Sequence, residues 1–203
     1  MYDIAVIGAG ITGCSIAREL SRYNVRILLI EKNSDVADGT TKANSAIVHA
    51  GYDAKPGTLK ARFNVPGALM YEKLCSELDV PYKKTGSLVL AFSPEEMKTI
   101  QKLYDQGIAN GVPDMEIIGK DKVHEIDANL SDEVVGALYA RNAGIVSPWE
   151  LAIALAENAV ENGVELLLDS EVTKIEKMNG LYRLHMEDRF AEARFVINCA
   201  TCI

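Results

Sequence analysis

Tyr2-Asp3-Ile4-Ala5-Val6-Ile7, followed at once by Gly8-Ala9-Gly10-Ile11-Thr12-Gly13, is the stretch on which the fold turns. Its first half is short, apolar and partly β-branched, which suits a strand buried on both faces in a parallel sheet. Its second half matches G-x-G-x-x-G, and each glycine has a mechanical reason. Gly8 permits the tight turn out of the strand. Gly10 lets the backbone approach a pyrophosphate. Gly13 lets the next helix pack close to the sheet. Thr12 to Tyr23 shows helical periodicity with Ile16, Ala17 and Leu20 on one face, and Val25 to Ile30 reads as a second buried strand. That strand ends in Glu31, 18 residues after Gly13, where a carboxylate can accept both hydroxyls of an adenosine ribose. A carboxylate rather than an arginine there disfavours a 2′-phosphate, hence NADP. Strand, glycine turn, helix and acidic residue in register predict a dinucleotide-binding βαβ unit, with a tight strand–helix turn holding no ligand as the alternative.

Outward from this unit, residues 33–58 are small and polar and read as an irregular loop with one short helix. Val65 to Leu78 has an apolar stripe of Leu69, Met70, Leu74 and Leu78 and predicts a helix that breaks before Pro81. Ser87 to Phe92 reads as a strand. Ser93-Pro94-Glu95-Glu96 opens a helix to about Asn110, with a Ser cap, Pro at the first position and acids in the first turn. A short helix over 120–126 and a strand from Val134 to Ala140 follow. Ser147-Pro148-Trp149-Glu150 repeats the helix-start chemistry for a helix to Asn162. Val164 to Leu168, Glu171 to Lys177, Tyr182 to Met186 and Ala193 to Asn198 read as strands, with a hairpin turn at Asn179-Gly180. The expected organisation is one discontinuous domain over 1–80 and 145–203, interrupted by a smaller α+β domain over 81–144. No internal repeat or low-complexity segment is visible.

The chain has 203 residues, 48% hydrophobic and 25% charged, so it can form a packed core. A net charge of -8 argues against nucleic acid, whose phosphates need clustered Lys and Arg. No basic n-region precedes the first apolar run, and no apolar run approaches a membrane span. Cys14, Cys75, Cys199 and Cys202 read as reduced thiols of a cytoplasmic protein, and the C-x-x-C spacing of the last two lacks a second pair. No metal site is expected, since Asp127, Asp132 and Glu133 read as a solvated acidic loop.

The βαβ unit alone does not choose between FAD and NAD. A nicotinamide domain usually continues with another βαβ repeat, whereas this chain enters the polar loop Asp38-Gly39-Thr40-Thr41-Lys42-Ala43-Asn44-Ser45-Ala46-Ile47-Val48-His49-Ala50-Gly51-Tyr52. At these residues, at Lys55 to Ala61 and at Gly144-Ile145-Val146-Ser147-Pro148, the sequence resembles FAD-dependent oxidoreductases of the D-amino-acid-oxidase-like (DAO) superfamily. Within it, the chain is most similar to anaerobic glycerol-3-phosphate dehydrogenase and L-2-hydroxyglutarate oxidase-like proteins. The resemblance implies FAD as cofactor. It assigns the pyrophosphate to Gly8, Gly10, Ile11, Thr12 and Gly13, and the adenosine ribose to Glu31 with Lys32 beside it. Thr40, Thr41, Asn44, Ser45 and Ala46 would follow the pyrophosphate, ribityl chain and flavin edge. Val172 would meet the adenine through its backbone, and Cys199 and Ala200 would lie near the phosphates. His49 is the candidate catalytic residue, facing flavin or substrate, with a backbone-bonding structural role as the alternative. Lys55, Lys60 and Arg62 could attract an anionic substrate, or form a solvated face. His124 and His185 read as solvated.

The resemblance implies an α/β fold: a Rossmann-type FAD-binding domain, glutathione-reductase-like, with an inserted, incomplete α+β substrate domain. The family's Asn-Cys-Ala-Gly turn appears as Asn198-Cys199-Ala200-Thr201, and the sequence is expected to be C-terminally truncated relative to the family. The expected activity is hydride transfer from a small anionic secondary alcohol, glycerol 3-phosphate or a 2-hydroxy acid, to flavin N5. The alternatives are an amino-acid or amine oxidase, an inactive nucleotide-binding fragment, and an NAD-binding module. No nucleic acid and no transmembrane segment are expected. Peripheral membrane contact and homo-oligomer formation stay open.

Overall fold

A computed structural model describes residues 1–200 and separates them into two compact units. The first contains 1–45, 78–80 and 147–200, and the second 46–77 and 81–146. The sequence placed the break at Pro81. In the structure residues 46–77 pack with the second unit instead, because Ala50 and Val65 share a core with Ala91, Ile100, Leu138 and Ala140.

The first unit is built on the expected βαβ. Strand β1 (Tyr2–Ile7) leads into helix α1 (Ile11–Leu20), which returns to β2 (Ile27–Ile30). The strands pair in parallel, Ile4 opposite Ile27 and Ile7 opposite Ile30, and all of β2 is buried. Continuous burial explains why β2 reads as an apolar run rather than as alternation, whereas in β1 only Ala5 and Val6 are fully buried. Near the chain's end lie α5 (Pro148–Glu161), β9 (Glu165–Leu167), β10 (Lys174–Met178), β11 (Leu181–His185) and β12 (Phe190–Asn198). Their six-stranded sheet has the order β10-β11-β12-β1-β2-β9. Strand β12 serves two partners: Phe190 to Ala193 pairs antiparallel with β11, and Ala193 to Asn198 pairs parallel with β1. Asn179 and Gly180, both at positive φ, close the β10–β11 hairpin as their sequence predicts. The edge strand β10 carries Lys174, Glu176 and Lys177, charges that discourage further pairing.

The second unit begins with the two-residue strand β3 (Ile47–Val48) and helix α2 (Leu59–Glu77). Then come β4 (Tyr82–Lys83), β5 (Ser87–Ala91), α3 (Pro94–Ala109), β6 (Met115–Gly119), α4 (Lys120–Ile126), β7 (Gly136–Ala140) and β8 (Gly144–Val146). Strands β5, β7 and β6 form one antiparallel sheet, and β3, β8 and β4 another. Ser93 caps α3 by accepting from Glu96 N at 3.2 Å, and in the first unit Ser147 caps α5 from Glu150 N at 3.4 Å. Both helices carry Pro at the start, as their sequences demand.

Helix α2 departs from expectation. It starts at Leu59 rather than Val65, because the Thr58 hydroxyl accepts from Ala61 N at 3.3 Å and gives it a first turn ahead of Pro66. Its buried face is Ala61, Val65, Ala68 and Cys75, while Leu69 and Met70 of the predicted stripe are exposed. Small side chains permit closer packing, and here they form the inner face instead of the leucines. Strands β3, β4, β6 and β8 were not anticipated; all but the five-residue β6 are too short for a periodic signal.

Candidate nucleotide-binding site

Gly8 sits at φ +95°, which a side chain rarely adopts, and a Cβ there would come within 3.0 Å of Ala200 N and of the Cys199 carbonyl. A Cβ at Gly13 would lie 1.9 Å from the Gly8 oxygen. At Gly10 the nearest atom to a Cβ is the Thr41 hydroxyl, at 3.1 Å. The turn is held by Gly8 N donating to Ile30 O at 2.7 Å and Cys199 N donating to Ile7 O at 2.8 Å. Gly10 stands at the cap position of α1 without a side chain, and no acid occupies the first helical turn. The positive end of α1 is therefore left for an anion.

Beside this turn lies a cavity of about 420 Å³, within the range typical of small-molecule sites. Gly8, Gly10, Glu31, Lys32, Thr40 and Thr41 line it, with Val172, Cys199 and Ala200. Glu31 is only 8% exposed. Its carboxylate accepts from Ala9 N at 2.8 Å and from Asn33 N at 3.0 Å, while its own backbone pairs with Leu167 and Ser170. A carboxylate has about four acceptor positions, so two remain for hydroxyls of a ligand. The cavity thus offers N–H donors at the start of α1 and, against the glycine turn, a fixed carboxylate, which are the groups that a ribose linked to a diphosphate requires. The residues fit the adenosine diphosphate part of FAD: the cavity holds the side-chain-free start of α1 at Gly10 and a Glu31 carboxylate with acceptor positions to spare.

The other predicted site residues fall in different places. Ile11, Thr12 and Gly13 form the first turn of α1, and Ile11 N donates to the Thr41 hydroxyl at 3.0 Å. Asn44 is exposed and donates from Nδ2 to Thr41 O at 2.5 Å. Ser45 is exposed at the end of the first unit's segment. Ala46 and His49 belong to the second unit. Ala46, at φ +61°, accepts from Val146 N at 3.1 Å. His49 is exposed, and its backbone carbonyl accepts from Asn64 Nδ2 at 3.3 Å, a contact in which the imidazole takes no part. Lys60 is ion-paired with Asp53 at 2.9 Å and is not a free cation, and this ammonium holds the Asp53 carboxyl below its usual range.

Ile7, Ile30, Asn33, Asp38, Gly39, Ser170 and Glu171 also line the cavity without having been assigned a contact from sequence. Asp38 and Gly39 carried a signal in their place in the polar loop. Asn33 carried none, since its role is a backbone N–H. The Cys14 thiol, behind the turn, donates to Ala9 O at 3.2 Å, and burial followed by the Glu31 charge pushes its pKa up to about 12. Burial also raises Cys199. His124 corrects an expectation: its ring is only 23% exposed, and its Nε2 is covered without a hydrogen bond, 3.8 Å from Asp132. His185 is half-buried and bonds Glu176 at 2.8 Å. Cys202 of the C-x-x-C spacing lies outside the described residues. Among the described residues no His, Cys, Asp and Glu group could hold a metal, and no helix is long and apolar enough to cross a membrane.

A family model described as FAD dependent oxidoreductase, DAO, matches residues 3–201. A glycerol 3-phosphate dehydrogenase of Caloramator mitchellensis is 60% identical over 200 residues, 98% of this chain and 42% of that protein. A mitochondrial L-2-hydroxyglutarate dehydrogenase of Nematostella vectensis is 32% identical over 174 residues, 85% of this chain and 38% of that protein. Among solved structures, dithionite-reduced L-α-glycerophosphate oxidase from Mycoplasma pneumoniae with FAD bound superposes with a TM-score of 0.88 at 27% identity, covering 96% of this chain and 53% of that one. The chain spans less than half the length of these two curated relatives.

Proposed function

Because this chain belongs to the DAO family of FAD-dependent oxidoreductases, we propose that it is the FAD-holding portion of an enzyme that oxidises glycerol 3-phosphate. The observation that carries the reading is the cavity of the first unit, lined by the glycine turn at the start of α1 and by Glu31, which that turn anchors. The first-turn N–H groups of α1 beyond Ile11, whose own N–H is engaged by Thr41, take the diphosphate, and Glu31 takes the adenosine ribose while rejecting a 2′-phosphate by charge. Val172 offers backbone groups to the adenine, and Cys199 and Ala200 close the side of the turn. When bound, FAD supplies the hydride acceptor. His49 holds or removes the hydroxyl proton of the substrate, and Lys55 and Arg62 attract its anionic group.

The identity of 60% with a glycerol 3-phosphate dehydrogenase favours that substrate over L-2-hydroxyglutarate, whose dehydrogenase is 32% identical. Both are anionic secondary alcohols, so the reaction class is common to the two. Named relatives of both kinds support an alcohol donor over an amine. The free cysteines Cys14, Cys75 and Cys199 support a reducing compartment, the cytoplasm, for this reading.

The test is an absorbance spectrum of the purified chain after incubation with FAD and desalting, followed by anaerobic additions. Retained flavin bleached by glycerol 3-phosphate, and not by 2-hydroxyglutarate or glycine, supports the proposal. Retained flavin bleached by none leaves a binding fragment without turnover. No retained flavin overturns the cofactor assignment.

A further inference from the structure

We propose that Asn110, aided by Gln106 and Asn64, is a positioning residue that fixes the backbone of His49. This rests on the reading of His49 as the group that handles the substrate's hydroxyl proton. His49 follows the two-residue strand β3, and residues 49–58 contain no helix or strand. Such a segment has no ladder to take up its carbonyls. Yet four of the six carbonyls over 49–54 accept from carboxamide side chains of α2 and α3. Asn64 of α2 donates to His49 O at 3.3 Å, and Gln106 of α3 donates to Tyr52 O at 2.8 Å. Asn110, the C-terminal cap of α3, donates to Gly51 O at 3.0 Å and to Ala54 O at 2.6 Å. All of these residues belong to the second unit.

Asn110 is the centre of this clamp. A carboxamide nitrogen has two protons to donate. Both are spent on carbonyls at the two ends of one turn, so the turn cannot change its width without breaking a bond. Gly51, at φ +108°, brings the chain against α2, where a Cβ would fall 2.8 Å from Val65 Cγ2. Ala50 and Ala54 are buried, whereas His49 between β3 and the clamp is exposed. Burial of the alanines would hold the segment against the helices without fixing its direction. Directed bonds to the carbonyls add that, and a proton-transfer group needs it, because its partner must lie within hydrogen-bond reach and the geometry must hold to about 0.5 Å. The ion pair of Asp53 with Lys60 ties the same segment to the start of α2.

Asn110→Ala removes both donors, and Asn110→Asp keeps the shape without an N–H. Cys75→Ala is the control, since it loosens α2 of the same unit at a residue outside the clamp. Backbone 15N order parameters at His49 and Gly51 in the flavin-free chain read the clamp. Anaerobic bleaching of the flavin by glycerol 3-phosphate reads the positioning role. In both Asn110 variants the order parameters are expected to fall from about 0.85 toward about 0.6. The bleaching rate at saturating substrate is expected to fall about tenfold, with the half-saturating concentration within about twofold of the parent. Cys75→Ala is expected to match the parent on both readouts. Gln106→Ala, which deletes one bond, replaces the Asn110 variants if these do not fold, with the same directions expected. Unchanged order parameters overturn the clamp. A loosened segment with an unchanged saturating rate, or an equal loss of rate in Cys75→Ala, overturns the positioning role. If the parent's flavin is not bleached, the proposed reaction falls and the positioning role with it, while the order parameters still decide the clamp.

Discussion

Replacing Gly13 with alanine is expected to damage both folding and cofactor retention, and the size follows from one distance. The new Cβ would stand 1.9 Å from the Gly8 carbonyl oxygen, whereas real Cβ contacts essentially never fall under 3.0 Å. The atom it meets is backbone, in a turn already fixed by hydrogen bonds to Ile30 and Ile7, so no side-chain rotation relieves it. Helix α1 must move off the turn by about 1 Å, which opens its contact with the sheet, where Val6, Cys14 and Ala17 are fully buried. Overpacking of this kind costs about 3 kcal/mol, a large share of the stability of an ordinary domain. For a chain of this size that lowers Tm by roughly 6–12 °C. Gly67 in α2 is the internal control: a Cβ there meets nothing within 4 Å, and its φ is not in the left-handed region. Gly67→Ala is expected to raise stability by about 0.5–1 kcal/mol, because alanine lowers the entropy cost of ordering the helix. Thermal unfolding of both variants, with flavin content after desalting, is the assay. A Gly13→Ala chain that unfolds with the parent and keeps its flavin would refute the reasoning, and so would a loss at Gly67 as large as that at Gly13.

Glu31→Gln would put an amide NH2 against either Ala9 N–H or Asn33 N–H, both of which now donate to the carboxylate. A loss of about 1–3 kcal/mol in stability is expected from denaturant titration, with weaker FAD binding, and unchanged values would remove Glu31 from its assigned place. Cys14, with its pKa raised to about 12, stays a thiol at neutral pH, so iodoacetamide followed by peptide mass mapping should leave it unmodified in the native protein and label it after unfolding. Labelling of Cys14 at the rate of a free thiol would contradict its burial. The Asp53 carboxyl is depressed by its bond to Lys60. Its contribution to stability is therefore present above the ordinary carboxylate pKa and is lost as pH falls through the depressed value. Lys60→Met should flatten that acid-side slope by well under about 1 kcal/mol, since the pair is largely exposed. A steeper slope in the variant would reverse the sign assigned to Asp53.

The glycine turn shows how far local chemistry carries. Tyr2–Ile7, Gly8, Gly10, Gly13 and Glu31 are close together in the chain, and a βαβ unit has few ways to close, so their sequence alone determined the first strand pair, the helix between and the acidic partner. The capped starts of α3 and α5 were legible for the same reason, because Ser and Pro act on backbone groups within one turn. What tertiary structure decided involves distant partners or groups without a residue type. Asn33 enters the site through a backbone N–H, which any residue possesses. Thr41 reaches Ile11 only because the loop folds back on α1. Helix α2 buries Ala61, Val65, Ala68 and Cys75 and leaves Leu69 and Met70 outside, a choice of face that its own apolar stripe did not show. His124 looked solvated on a short polar helix, yet the fold covers its ring. Periodicity reports which residues can be buried, and only the neighbours brought up by the rest of the chain choose among them.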